Sequence, residues 1–328
     1  MSLKLSAERR AWPLHEPFAI SRGVSTVTET VIVTLIDEKG LKGRGEGCGV
    51  NYAGETPQSM LEQISQARHQ VEAGATREQL LALMPPGGAR CAIDSALWDL
   101  EAKQTGLSAF RRAGIDAPRP VSTAYTIGIR SIEAYETAAA ARADYQVLKI
   151  KVDQADPIAA IAAARRGAPN PAFIVDPNQA WSVGTLKVLV PKLADLGVVL
   201  LEQPIKVGEE HELDGYHCPI RLCADELIQD TSDLHKAKGR FDVVNIKLDK
   251  AGGLTEGLRL ADAALSAGFE LMVGCMAGSS LSMAPGMVLA QRCAFVDLDG
   301  PLLQSEDWPD GMSYRDGIIQ PPRPSFWG

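Results

Sequence analysis

No Cys-x-x-Cys pair, no glycine-rich G-x-G-x-x-G loop, no run of about 18 apolar residues and no basic stripe occur in these 328 residues. Each absence removes a class of function. The six cysteines (Cys48, Cys91, Cys218, Cys223, Cys275 and Cys293) are scattered without metal-binding or redox spacing, so they read as reduced thiols, used as small buried hydrophobes in a cytoplasmic protein. A net charge of -8 and a pI near 5.3 argue against a nucleic-acid partner. The opening MSLKLSAERRAWPLHEPF has no apolar core of signal-peptide length, and nothing in the chain reads as a membrane span. What is there is ordinary for a globular protein: 45% hydrophobic residues and a mean hydropathy near zero. The length suits a barrel with a smaller companion domain.

The first third reads as strands followed by helices. VTETVIVTLID, over 27–37, is rich in β-branched residues, and a turn at 38–40 returns it through LKGRGEG as a hairpin. Thr56-Pro57 then opens a helix to about residue 71, a shorter helix covers 77–83, and a third over 89–105 ends at Gly106. From about Pro120 a strand-like piece precedes each helical piece: STAYTIG, QVLKIKVD, FIVDPNQAW, VVLLEQP, IRLCADE, FDVVNIKLD, ELMVGCM and finally CAFVDLDG. Helical segments are expected over 131–143, after Asp156-Pro157, and over 182–196, 231–238, 255–267 and 279–291, with a short irregular element after the fourth strand. Eight strands and about seven helices alternating in this way predict a parallel sheet closed into a barrel; a doubly wound open sheet is the alternative. The tail from Pro301, without periodicity, is expected to fold back on the first unit.

The polar residues at the strand ends favour the barrel. Asp176, Glu202 and Asp225 close the third, fourth and fifth apolar runs, and Lys151 and Lys247 bracket them on the second and sixth. Alternation along a strand puts Lys149 with Lys151, Asp176 with Asn178, Lys247 with Asp249, and Asp297 with Asp299 on common faces. Oxygen-only donors suit Mg²⁺, one ion per site. A lysine near its ordinary pKa of ~10.4 is a poor base, but a neighbouring cation such as Lys149 lowers that value. Two lysines on opposite sides of one substrate carbon would remove a proton from one face and return it from the other, which inverts the centre.

In order and spacing, the motifs LKIKVD, IVDPNQAW, LLEQP, CADE, VNIKLDKAGGLTEGL, GCM and VDLDGP resemble the enolase superfamily, its muconate-lactonising subgroup, and within it the dipeptide epimerases of the L-Ala-D/L-Glu type. The resemblance implies an α/β fold: a modified TIM barrel, (β/α)7β, over 118–300, an α+β capping domain over 1–117, and a segment over 301–328 that completes the cap. It implies Mg²⁺ ligands at Asp176, Glu202 and Asp225, acid/base catalysts at Lys151 and Lys247, a helper at Lys149, and supporting positions at Asn178 and Glu226. Asp297 and Asp299 correspond to the pair that binds a dipeptide's ammonium group. Arg22, on a loop that closes over the site, corresponds to the arginine that meets a glutamate side chain. Thr126 and Cys275 fall on the pocket wall. GCMAGSSL after the seventh strand is smaller than its counterpart in many relatives, which leaves the second side chain of the dipeptide open.

The expected activity is a Mg²⁺-dependent isomerase that epimerises a small dipeptide at its C-terminal α-carbon, in the cytoplasm, in the recycling of cell-wall peptides. Muconate cycloisomerisation or o-succinylbenzoate synthesis would use the same carboxylates and lysines but no ammonium site. A non-catalytic metal-binding barrel is the distant third reading. The family admits homo-oligomers, although no helix shows an unmistakable exposed apolar stripe.

Overall fold

The computed structural model describes residues 3–328. The chain opens with an antiparallel meander of β1 (Leu3–Ile20), β2 (Gly23–Asp37) and β3 (Lys42–Cys48), in that spatial order. The hairpin expected over 27–47 is present. The 18-residue β1 beside it was not expected, because it carries the charged run Glu8-Arg9-Arg10 and two prolines, Pro13 and Pro17. Both prolines are tolerated because β1 is an edge strand, and its register slips between Pro13 and Phe18.

Three helices cover the meander: α1 (Pro57–Glu72), α2 (Arg77–Leu83) and α3 (Gly88–Thr105). Thr56 caps α1 by accepting a bond from the Ser59 amide, with proline in the first turn. α3 approaches β3 more closely than side chains would permit. Gly43, Gly45 and Gly47 share one face of β3, and a Cβ on any of them would overlap a main-chain oxygen of α3 at Ala96, Ala92 or Gly88. The KGRGEGC run is therefore a track that seats a helix. A short α4 (Ala109–Arg112) ends this part.

After a two-residue strand, β4 (Val121–Ser122), come the barrel strands: β5 (Tyr125–Ile127), β6 (Val147–Lys151), β7 (Ala172–Asp176), β8 (Val198–Glu202), β9 (Arg221–Ala224), β10 (Val243–Lys247), β11 (Glu270–Gly274) and β12 (Phe295–Val296). They pair in parallel in sequence order, β5 to β12. The ring closes where Ala124 N donates to Val296 O at 2.8 Å and Leu298 N to Thr123 Oγ1 at 2.9 Å. This sequential, closed order replaces the open-sheet alternative. Between strands lie α5 (Ile132–Ala140), α6 (Pro157–Gly167), α7 (Val183–Asp195), α8 (Leu234–Ala237), α9 (Leu248–Ala251), α10 (Leu254–Ser266) and α11 (Ser280–Ala290). Single 3₁₀ turns stand after β8 and before α8, so the helix expected over 231–238 is split. The side chains of Ser131, Asp156, Ser182 and Ser279 cap α5, α6, α7 and α11.

Barrel strands alternate between two cores. Leu148, Ile150, Phe173, Val175, Leu222, Val244 and Ile246 pack outward against the helices. Ala124, Ile174, Leu200, Cys223, Val243 and Met272 form a separate inner plug, with Val147 and Phe295 packed against it. Two residues beyond these positions the inward residue is polar on seven of the eight strands, Gly274 on β11 being the exception, which builds a charged layer on an apolar floor. One shared-face expectation fails here. β10 stops at Lys247 and the chain turns into α9, so Asp249 bonds the Cys48 amide of the meander at 2.8 Å instead of facing the mouth.

The chain beyond β12 makes α12 (Gly300–Leu303) and a hairpin of β13 (Tyr314–Arg315) and β14 (Ile318–Ile319) that pairs with β4. It also reaches the first unit: Ser305 N donates to Pro13 O, Trp308 packs edge-on against Trp12, and Gly328 N donates to Asp99. All six cysteines are free. Among the described residues no helix is long and apolar enough to cross a membrane.

The glycine track yields a prediction. Gly45→Ala is expected to destabilise the protein by about 1–3 kcal/mol through overpacking against α3. Gly184→Ala, near the start of α7 with only the Ser182 hydroxyl nearby, is expected to be neutral or slightly stabilising. Thermal denaturation of the two variants beside the parent checks both.

Candidate active site

The C-terminal ends of β6, β7, β8 and β10 deliver Lys151, Asp176, Glu202 and Lys247, and Asp225 follows β9 by one residue. All five are buried. β6 and β10 are the second and sixth of eight strands, so their lysines rise from opposite walls of the ring. Lys151 Nζ donates to Asp176 Oδ2 at 2.5 Å and to Asn178 Oδ1 at 3.1 Å. Lys247 Nζ donates to Asp225 Oδ2 at 2.7 Å. Lys149, one step deeper on β6, lies 2.7 Å from Asp297, 2.8 Å from Glu202 and 3.3 Å from Asp176.

These ammonium groups supply the positive charge in the layer. Burial opposes the charge on Lys149, but Asp297, Glu202 and Asp176 outweigh it and hold its pKa well above the ordinary value. Burial likewise opposes the charge on Lys247, and Asp225 and Glu202 reverse the balance. Burial would raise Asp225, yet Lys247, Lys250 and Lys149 bring it well below the usual carboxylate range. Glu202 goes the other way: burial first, then repulsion from Asp176, pushes it up to about 8. Its Oε2 faces Lys149 without hydrogen-bond geometry and has no hydrogen-bond partner, while Oε1 accepts from Asn245 at 3.0 Å. Among the described residues no three His, Cys, Asp or Glu side chains converge tightly enough to hold a metal ion. The carboxylates lean onto the lysines instead.

Around the lysines the pocket is lined by Phe18, Ile20, Arg22, Tyr52, Thr126, Asn178, Cys275, Met276, Ala277, Asp297, Asp299 and Leu303. Arg22, Thr126, Cys275, Asp297 and Asp299 therefore all reach it. The two acids are tied to the first barrel strand: Thr126 N donates to Asp299 at 2.6 Å, and its hydroxyl to Asp297 at 3.3 Å. Asp297 is paired with Lys149 as well. Burial, then the neighbouring Asp297, pushes Asp299 up to about 7. Arg22, at the tip of the β1–β2 hairpin, donates to Glu226 Oε1 at 2.6 Å, and Asn178 Nδ2 meets the same oxygen at 3.3 Å. Ser21 reaches Asn178 O at 3.4 Å, so the hairpin tip spans the mouth.

Several contributors escaped sequence reasoning. Lys250 is buried and donates to Asp225 Oδ1 at 2.7 Å, to the Asp225 carbonyl, and to Asn245 O at 3.3 Å. Its signal was the LDKAGG run, where left-handed Gly252 ends a single helical turn that folds Lys250 back. Gln203 joins two strand ends: its Oε1 accepts from Asp225 N at 2.9 Å and Leu227 N at 3.2 Å, and its own backbone is left-handed at φ 34°. Tyr52, under the Arg22 guanidinium, carried no motif at all.

Comparison with known proteins places this arrangement. Residues 3–111 match the mandelate racemase/muconate lactonizing enzyme N-terminal domain, and 133–324 the enolase C-terminal domain-like family. The L-Ala-D/L-Glu epimerase of Escherichia coli is 39% identical over 311 residues, 94% of this chain and 97% of that protein. An N-acetyl-D-glutamate racemase from a Pseudoalteromonas species is 42% identical over 252 residues, 76% of this chain and 79% of that one. An enolase family member from Agrobacterium tumefaciens, described as having homology to dipeptide epimerases and solved with sodium and L-Ala-L-Glu, superposes with a TM-score of 0.97 at 39% identity, covering 99% of this chain and all of its own. With two domain families matched along its length and relatives of this similarity, the chain belongs to the enolase superfamily, in its mandelate racemase/muconate lactonizing group.

Proposed function

We propose that this protein is an isomerase that epimerises a dipeptide, L-Ala-D/L-Glu, at the α-carbon of its C-terminal residue. The carrying observation is the placement of Lys151 and Lys247 on strands two and six of eight, with an acidic pair, Asp297 and Asp299, beside them. A free dipeptide offers what these groups recognise: an acidic α-carbon next to a carboxylate, and an ammonium group one residue away. In the same reading residues 1–117 act as the cap, 118–300 as the catalytic barrel and 301–328 as the returning segment, and the protein works in the cytoplasm on peptides released from the cell wall.

The donor set suits a divalent cation. Asp176, Glu202 and Asp225 are buried, offer only oxygen, and include an oxygen of Glu202 without a hydrogen-bond partner. They would hold one Mg²⁺, which when bound supplies positive charge to the substrate carboxylate as the α-proton leaves. Asp176 and Asp225 also hold the ammonium groups of Lys151 and Lys247, so an oxygen given to a cation is an oxygen withdrawn from a lysine. Lys149, two residues back on the same face, supports Lys151 by holding Asp176 and Glu202 in place beneath it. One lysine takes the α-proton; the other returns a proton to the same carbon from the opposite side. Arg22 receives the glutamate side chain, exchanging its bond to Glu226 for a bidentate one. Asn178 and Glu226 orient Lys151 and Arg22, and Thr126 and Cys275 complete the wall.

The resemblance to an N-acetylglutamate racemase motivates a second reading, with an acylated amino acid as substrate. It would leave Asp297 and Asp299 facing an uncharged amide.

With Mg²⁺ in D₂O, L-Ala-L-Glu is expected to exchange its glutamyl α-hydrogen and epimerise, as followed by mass spectrometry and NMR. Exchange of N-acetylglutamate but of no dipeptide would establish the second reading instead. Lys151→Ala and Lys247→Ala should each lower epimerisation by about 10²–10⁴-fold or more, with any residual exchange confined to one stereoisomer, a different one for each variant. The pH profile of kcat/KM is a separate check. Asp299 must be ionised to hold an ammonium group and titrates near about 7. The dipeptide loses that ammonium near ~8. kcat/KM should therefore rise with pH through about 7 and fall beyond ~8, and Asp299→Asn should remove the rising limb.

A further inference from the structure

Beside the catalytic pocket lies a second cavity of about 660 Å³, against about 130 Å³ for the pocket itself. Small-molecule sites usually enclose about 300–1,000 Å³, so the pocket alone has room for little beyond the reacting end of a substrate. Phe18, Thr126 and Leu303 border both spaces. The second one opens between the outer face of β5, the helix α5 and the edge strand β1. β12 is followed by the single turn α12, whose Leu303 lines this space.

Thr126 sets the direction. Its amide and hydroxyl hold Asp299 and Asp297, the acids that meet the substrate ammonium in the dipeptide reading on which this inference rests. With the ammonium there and the glutamyl α-carbon between the lysines, one substituent of the N-terminal residue stays unheld: its side chain. The shared wall of Phe18, Thr126 and Leu303 stands next to it. The cavity beyond is apolar along Ile127, Ala134, Ala138 and Leu303. Its polar side carries two guanidiniums and one carboxylate. Arg142 lies 4.5 Å above the Tyr125 ring, and Arg130 pairs with Glu16 at 2.9 Å. The excess positive charge disfavours an ammonium and favours a hydrogen-bond acceptor.

We propose that this cavity is the subsite for the side chain of the substrate's N-terminal residue, admitting side chains well beyond methyl with an apolar stem and an uncharged or acceptor end. Kinetics of the Mg²⁺-loaded enzyme on L-Ala-L-Glu, L-Leu-L-Glu, L-Gln-L-Glu and L-Lys-L-Glu test it, with Ala138→Phe as a variant that fills the cavity. The leucyl and glutaminyl dipeptides should show kcat/KM of the same order as L-Ala-L-Glu, with the lysyl one at least about tenfold lower. Ala138→Phe should lower kcat/KM for the leucyl and glutaminyl dipeptides by about tenfold or more and leave L-Ala-L-Glu unchanged. If Ala138→Phe does not fold, Ala134→Phe, one turn earlier on α5, carries the same expectation. Turnover of L-Ala-L-Glu without the leucyl and glutaminyl dipeptides, or an equal loss on all substrates in the folded variant, overturns the subsite. A lysyl dipeptide as good as the glutaminyl one overturns its charge preference. Failure of every dipeptide with the parent enzyme sinks the dipeptide reading itself.

Discussion

Mutual neutralisation of buried charge is the constraint on which this barrel is built. An ion taken out of water costs several kcal/mol unless a partner and hydrogen bonds offset it. Lys149 sits at the centre of the solution, within 3.3 Å of Asp176, Glu202 and Asp297. Lys151 answers Asp176, and Lys247 and Lys250 answer Asp225. Beneath them the plug of Ile174, Leu200, Cys223, Val243 and Met272 shuts out water from below. Removing Lys149 would leave Asp297 without its lysine over that floor, whereas Asp176 and Asp225 each keep a second one. The layer is therefore held together by the same groups that are available for chemistry, and its charge balance can be redistributed but not abandoned.

A second polar network fixes the meander and its helices on the barrel. Glu46 of β3 accepts from Trp12 and from the Ser279 amide at the start of α11. Asp94 of α3 accepts from the Thr255 amide and hydroxyl of α10. Arg90 donates to the carbonyls of Ala251 and Gly252. Each bond is buried and all but that of Trp12 with Glu46 cross between the two units, so loss of one partner leaves a desolvated group behind. Burial pushes Asp94 up to about 6 even with these partners. Rigid docking through α3, α10 and α11 leaves the β1–β2 hairpin to project over the mouth, where Arg22 and Ser21 anchor it.

The fold was legible wherever a local rule decided it. Short apolar runs, each followed by a helical piece, located the barrel strands, and Thr56, Ser131, Asp156, Ser182 and Ser279 marked helix starts with their own side chains. Alternation along those strands indicated which lysines and acids would share the mouth. Where distant contacts decide, the sequence was silent. β1 is a strand because β2 offers it an edge, despite two prolines. Asp249 leaves the inward face because Gly252 permits a helical turn directly after Lys247. Lys250 reaches Asp225 only because that turn folds it back there. Gln203 and Tyr52 acquire meaning only from neighbours that the chain brings in from far away.

The ring is not equally strong all round. Neighbouring strands such as β6 and β7 match over five consecutive residues, whereas between β12 and β5 the closure rests on the backbone bond of Ala124 with Val296 and on side-chain bonds of Thr123, Asp297 and Asp299. A staved cask loosens at its thinnest joint. Transient breathing of this barrel would start at that seam, which adjoins Thr126 and Asp297 and runs alongside the wall shared by the two cavities. The part of the cylinder with least backbone to tear thus stands beside the partition between the two spaces.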